Sequence, residues 1–350
     1  FTYKILEGWV KNMAKDNASI FLKDTFMKTV KNRIEEAETE AEAKEVIEKL
    51  EKIDLSDLFK EMLFKMADDT TQYMKKTMYE EVMAFRAGEE EFIVRQEQKW
   101  YRGFVASEAM YIMTLEVAES YVQYVNDLSI EEKIQNNNTF LAMLHIHGRA
   151  LQEFLEIITL MKNGFADGAY ARWRSMYELS IIASFITENG ENVAKAFIEA
   201  SETDDRYEWA RASDLFSSKK RYISFNDIQT HCDMNTKVWR KQYDLANKTV
   251  HASPQGTFAR LGNMKTENII PVGRSDYGIT TPAEHSAISL AQITSMFLNI
   301  FPYGDGIVAI KNINNWIDVV REIYFKTHDE VFPEAPPLWN NDLEKFGDYE

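Results

Sequence analysis

Two arginines and a glutamate stand in the run Ala171-Arg172-Trp173-Arg174-Ser175-Met176-Tyr177-Glu178. The surrounding residues are apolar: Tyr170, Trp173, Met176, Leu179, Ile181, Ile182 and Phe185. On a helix, Arg174 and Glu178 are four apart and share a face, whereas Arg172 lies on another face near Ser175 and Met176. Charges set into such a helix are costly unless paired. Two chemistries fit this pattern. A buried Arg–Glu pair would fix helix register, and an arginine held by Glu178 would bind an anion.

A second candidate is Asn247-Lys248-Thr249-Val250-His251, where a helical pattern ends and a Gly/Pro stretch begins. The helix dipole favours an imidazolium at a C-terminus, and histidine is the usual acid or base near neutral pH. The structural alternative for His251 is a helix-capping role. His145-Ile146-His147 places its rings about 200° apart on a helix, so they cannot share a metal from one face. Lys219-Lys220-Arg221-Tyr222 is a dense basic run that reads as a solvated turn before it reads as a nucleic-acid contact. The single cysteine, Cys232, sits between His231 and Asp233. Sequence neighbours on a helix point about 100° apart, so an inert thiol is expected.

These residues need a scaffold. The chain has 350 residues, 45% of them hydrophobic, enough for one large core or two ordinary ones. A net charge of −16 argues against bulk attraction to nucleic acid, which needs clustered Lys and Arg, so RNA is disfavoured as a partner. One cysteine allows no disulfide within the chain and no multi-cysteine metal site, and it fits a reducing cytoplasm. No uninterrupted apolar run approaches the ~18 residues of a membrane span, and no signal peptide is visible at the start. Phosphate-loop, dinucleotide, Gly-x-Ser-x-Gly and His-Glu-x-x-His patterns are absent, and neither cofactor nor metal is expected.

All seven prolines fall at or after Pro254, and the preceding residues are rich in helix formers. The fold expected is all-α: a multi-helix bundle preceded by a long-helix N-terminal region. Residues 1–53 read as two or three surface helices. Arg33 to Lys52 forms a solvated stretch with Ile34, Val46, Ile47 and Leu50 as its thin apolar stripe. A helix over 54–86, capped by Asp54 or Ser56, carries Leu58, Met62, Met66 and Tyr73 at helical spacing. Gly88 marks a break, and 89–125 follows with Phe92, Trp100, Phe104, Tyr111, Leu115 and Tyr124 as core.

Asn136-Asn137-Asn138 gives a soft domain boundary, so the expected divisions are 1–137, 138–330 and an extended or disordered tail at 331–350. Helices are expected over 139–163, 166–188, 190–213, 224–232, 235–250, 282–301 and 305–328. Asn163-Gly164 and Asn189-Gly190 serve as C-caps. The Gly/Pro stretch 252–281 reads as a long loop, of a length that is more often functional than decorative.

The segments Leu155-Glu156-Ile157-Ile158-Thr159-Leu160-Met161-Lys162-Asn163-Gly164 and Gly168-Ala169-Tyr170-Ala171-Arg172-Trp173-Arg174-Ser175-Met176-Tyr177-Glu178, with Val250-His251-Ala252-Ser253, resemble the bacterial DUF5677 family over roughly 138–260. That is a family of uncharacterised function. More distantly, the Arg-rich helix and the histidine at a helix end resemble HEPN-type proteins, many of them RNases of toxin–antitoxin and phage-defence systems. Their pattern is Arg, a polar residue, three residues, then His. Asn247 and His251 match it, and Ala246 stands at the arginine position.

The resemblance implies a metal-independent RNase effector or toxin. In it His251 acts as acid or base, Arg174 or Arg172 stabilises phosphorane charge, Glu178 orients the arginine, and Asn247 positions a phosphate oxygen. The missing motif arginine and the negative charge favour another reading. It is a non-catalytic helical interaction or sensor module of a phage-defence or stress system, with a protein partner or as a homo-oligomer. A receptor for a small anionic ligand under the 252–281 loop is the third.

Overall fold

The computed structural model describes residues 17–37, 39–51, 55–204, 206–217, 220–232, 234, 236–251, 253–262 and 270–339. Among them every regular element is helical. The expected cap Asp54, the basic-run residue Lys219 and the tail from Asn340 lie outside what is described, as do the side chains of the core position Leu58 and the stripe residues Val46, Ile47 and Leu50.

The chain divides into two compact units, one ending at Gly88 and the other beginning at Glu89. The first contains α1 (Asn17–Glu35), α2 (Glu40–Glu51) and the first part of α3 (Leu55–Asp127). Phe26 and Val30 of α1 are buried. Tyr73, expected at a core position of α3, is 66% exposed. Gly88 does not break α3: a glycine in an exposed helix costs about 1 kcal/mol, which the surrounding Glu, Ala and Arg residues outweigh.

The second unit takes in α3 from Glu89, because Trp100, Phe104, Met110 and Tyr121 are fully buried. Of the three asparagines at 136–138, Asn136 is therefore a bend inside this unit and the other two are helical. They follow α4 (Ile130–Lys133) and open α5 (Asn137–Lys162). Glu191 caps α5. Its carboxylate accepts from the Asn138 and Thr139 backbone amides at 2.7 and 3.0 Å, where acidic groups are favoured. Gly164, at φ 72°, turns the chain into α6 (Ala166–Asn189).

The helix expected over 190–213 ends early. α7 is Glu191–Glu199, followed by 3₁₀ turns at Ala200–Glu202 and Glu208–Ser213. Thr203 is extended and Asp214 left-handed, so the backbone leaves helical geometry twice. Ser224 and Asp227 form a capping box that starts the short α8 (Phe225–Gln229). α9 (Thr236–Val250) and α10 (Pro254–Phe258) follow.

α11 (Thr280–Leu298) packs against α5, α6 and α12 (Gly304–Val331). Its Ala283, Ala287, Leu290, Ala291, Ile293 and Phe297 are fully buried. Pro282 sits in its first turn, where no intrahelical donor is needed. The described start of the tail is held, not free: Asp329 accepts from the Leu338 and Trp339 amides at 2.8 and 3.0 Å.

The interior of the Gly/Pro stretch is pinned too, at Leu261 and Arg274. Asp167 accepts from the Leu261 amide at 2.9 Å, and Arg274 donates to the Asn163 carbonyl at 2.8 Å. Residues 263–269 of the loop lie outside the description.

A candidate site between two helices

α6 is apolar because its inner face fills the core: Tyr170, Trp173, Met176 and Ile181 are fully buried and Tyr177 nearly so. Arg174 leaves that core toward α9, whose inward positions are Trp239, Tyr243, Ala246 and Asn247. The Arg174 Nε donates to Asn247 Oδ1. Its Nη2 meets Glu178 Oε1 at 2.7 Å and donates to the Tyr243 hydroxyl at 3.2 Å. Tyr243 in turn donates to Glu178 Oε1 at 2.7 Å, and its ring lies 5.3 Å from the guanidinium carbon. Arg206 reaches Glu178 Oε2 from the irregular segment at 3.5 Å.

The side chains of Arg174 and Glu178 are 22% and 12% exposed. Burial first, and then the hydrogen bond to the Glu178 carboxylate, push the Tyr243 hydroxyl well above its ordinary range. It is therefore a fixed donor at any working pH.

Three of the sequence-derived candidates thus meet. Glu178 does contact Arg174, at the i,i+4 spacing that made the pair legible. Asn247 turns its amide oxygen to Arg174. Arg172 goes elsewhere, to Glu156 at 2.5 Å and Glu153 at 3.4 Å on α5. Glu153, almost fully buried, also pairs with Arg149 at 2.8 Å. Burial pushes its carboxyl up, against the pull of Arg172 and then Arg149.

His251 is exposed and follows α9 directly. Its amide donates to the Asn247 carbonyl at 3.0 Å, so the two residues lie one turn apart on one helical face. The turn that carries it is tight: the Ser253 hydroxyl accepts from the Gly256 amide at 3.0 Å and donates to the Lys248 carbonyl. A Cβ on Gly256 would lie 1.9 Å from that carbonyl oxygen, so only glycine fits.

Sequence reasoning missed Tyr243 and Arg206. Tyr243 had a signal, standing four residues before Asn247 and eight before His251 on one face. Arg206 had none, lying in an irregular segment. Ala246 is fully buried, which explains the departure from the Arg–polar–x3–His pattern: its side chain faces the core, where a guanidinium has no room. The arginine beside Asn247 comes from α6.

The other candidates are placed plainly. His145 is exposed and His147 buried, on different faces as their spacing requires. His147 hydrogen-bonds Thr294 Oγ1 at 3.0 Å. Cys232 is half-buried, its thiol directed at the Ile228 and Ile181 carbonyls at 3.3 and 3.5 Å. Lys220 of the basic run pairs with Asp227 at 2.6 Å. Among the described residues no group of three or more His, Cys, Asp and Glu is placed to hold a metal. No helix among them is long and apolar enough to cross a membrane.

Residues 140–232 match the model of a family of unknown function, DUF5677. The match is narrower than the 138–260 expected. It covers Arg172, Arg174 and Glu178 and ends before α9, which supplies Tyr243 and Asn247 and leads into His251. No curated protein and no solved structure matches the chain.

Proposed function

We propose that this chain is a non-catalytic helical interaction module, and that the Arg174–Glu178–Tyr243–Asn247 cluster is the lock that seats α9 on the bundle. The observation that carries this reading is where Arg174 spends its donors: Nε on Asn247, and Nη2 on Glu178 and Tyr243. A phosphate approaching this guanidinium would also approach the Glu178 carboxylate, which lies against it and opposes a second anion. A small anionic ligand meets the same obstacle. The resemblance to defence-associated helical proteins is the ground for placing the module in a bacterial phage-defence or stress system, and the lone cysteine for placing it in the cytoplasm.

One observation favours the nuclease as a second reading. Arg174 stands beside Asn247, and exposed His251 follows one turn later, so a neighbouring helix supplies the arginine that position 246 lacks. In that reading the His251 imidazole moves a proton from the attacking 2′-hydroxyl, and Arg174 meets the phosphorane charge.

Expression in a bacterial host, and incubation of the purified chain with single-stranded RNA in excess EDTA, separate the two. An interaction module leaves growth and RNA intact, and His251→Ala changes neither. RNA cleavage by the purified chain that disappears in His251→Ala would overturn the first reading and establish the second.

A further inference from the structure

The first unit exposes large apolar side chains along α3, and their spacing is ordered. At about 100° per residue, Thr71, Met74, Met78, Val82 and Phe85 fall within an arc of about 80°. Met74 is 48%, Met78 44%, Val82 39% and Phe85 67% exposed, and Thr71 is exposed as well. A contiguous apolar stripe on an exposed stretch of helix marks an interaction surface.

Between Thr71 and Phe85 the stripe is symmetric about Met78. Its members stand seven and four residues before that position and four and seven after it. We propose that a second copy of this chain covers the stripe, with the two helices antiparallel about a two-fold axis at Met78. A two-fold interface must be self-complementary, and this spacing is. The layers are then Thr71 on Phe85, Met74 on Val82, and Met78 on itself. Each outer layer sets a small or flexible side chain against a bulky or branched one, as interdigitating packing requires. A parallel pairing would set Phe85 on Phe85 and Thr71 on Thr71, crowding one layer and hollowing another.

The charges agree. Asp68 and Arg86 lie on the same flank of the stripe, both exposed, and neither forms an ion pair among the described residues. The two-fold sets Arg86 of each copy level with Thr70 of the other. That is two residues, or about 3 Å along the axis, from Asp68. An acid and a base therefore meet at both ends of the contact. This inference rests on reading the chain as an interaction module and names its partner, yet it uses no residue of the Arg174 cluster.

The contact spans about 21 Å of helix, small for an interface, so dimerisation in the micromolar range is expected. Sedimentation of the full chain across concentrations up to about 100 µM tests it. The wild type should pass from monomer to dimer, and Met78→Glu should stay monomeric with unchanged circular dichroism. Asp68→Arg and Arg86→Asp should each weaken the dimer about tenfold, and a mixture of the two variants should recover it. In a Cys232→Ser background, Met78→Cys should oxidise to a disulfide dimer. Met74→Cys and Val82→Cys should cross-link to each other and not to themselves.

A chain that is monomeric throughout, its stripe left to another segment or another protein, overturns the proposal. So does self-cross-linking of Met74→Cys. RNA cleavage by an intact dimer would sink the reading of the Arg174 cluster and spare the dimer. A monomer without cleavage would do the reverse.

Discussion

Truncating Arg174 to alanine tests the lock directly. The change strips Glu178 of its 2.7 Å partner and leaves it the Tyr243 hydroxyl at 2.7 Å and the mostly exposed Arg206 at 3.5 Å. The Asn247 amide oxygen loses its donor as well. Breaking a buried ion pair by removing one partner costs about 3–5 kcal/mol, because the other charge is left uncompensated. Both side chains keep a little exposure and Glu178 keeps one strong donor, so the lower end applies, about 3 kcal/mol.

For a unit of this size that lowers Tm by about 6–12 °C. Replacing both charges, Arg174→Met with Glu178→Leu, removes the desolvation cost along with the attraction and should recover most of the loss. Urea unfolding of wild type, both single variants and the pair gives the coupling, expected at about 2–3 kcal/mol for directly contacting residues. A loss under about 1 kcal/mol in Arg174→Ala, with no coupling to Glu178, would refute the argument, because it would put the guanidinium in solvent exchange and not in a lock.

Two further outcomes follow from the same geometry. His147 and His285 are buried, and burial depresses their pKa values to about 4 and about 3. Below about pH 6.5 the unfolded chain therefore binds protons that the folded chain refuses, and stability falls as pH falls, by up to about 1.4 kcal/mol per pH unit for each histidine. Glu153, pushed up by burial, opposes this in part. Asp227, held down to about 2 chiefly by Lys220, adds its own loss only below its ordinary range. Urea midpoints between pH 7 and 5 should therefore fall in the wild type and fall less in His147→Gln; a flat profile contradicts the burial of these rings.

Gly256→Ala forces a Cβ against the Lys248 carbonyl, so the turn after α9 must open. Amide exchange should rise around His251 and Ser253 while the Tm of the bundle changes by only a few degrees. Unchanged exchange there would mean the turn has slack.

Helical class was legible because nothing before Pro254 interrupts helix-forming composition, and the Arg174–Glu178 pair because four-residue spacing is a local rule. Helix ends were less so. Gly88 reads as punctuation, yet one exposed glycine costs too little to stop α3. The stretch 190–213 reads as helix, yet its backbone turns extended at Thr203 so that Trp209 and Ala210 can reach the core. Tertiary demand overrode propensity in both places.

The meeting of Arg174 with Asn247 joins residues 73 apart, and no local periodicity reports it. What the sequence did hold was the reverse clue at Ala246. A small apolar residue one turn before the end of an amphipathic helix, on the face of Trp239 and Tyr243, means that position faces the core. A core position cannot carry a free guanidinium. Any arginine beside Asn247 therefore had to come from another element, and of the two on α6 only the one sharing a face with Glu178 arrives. It arrives with that carboxylate attached, so the spacing that delivers the cation also neutralises it.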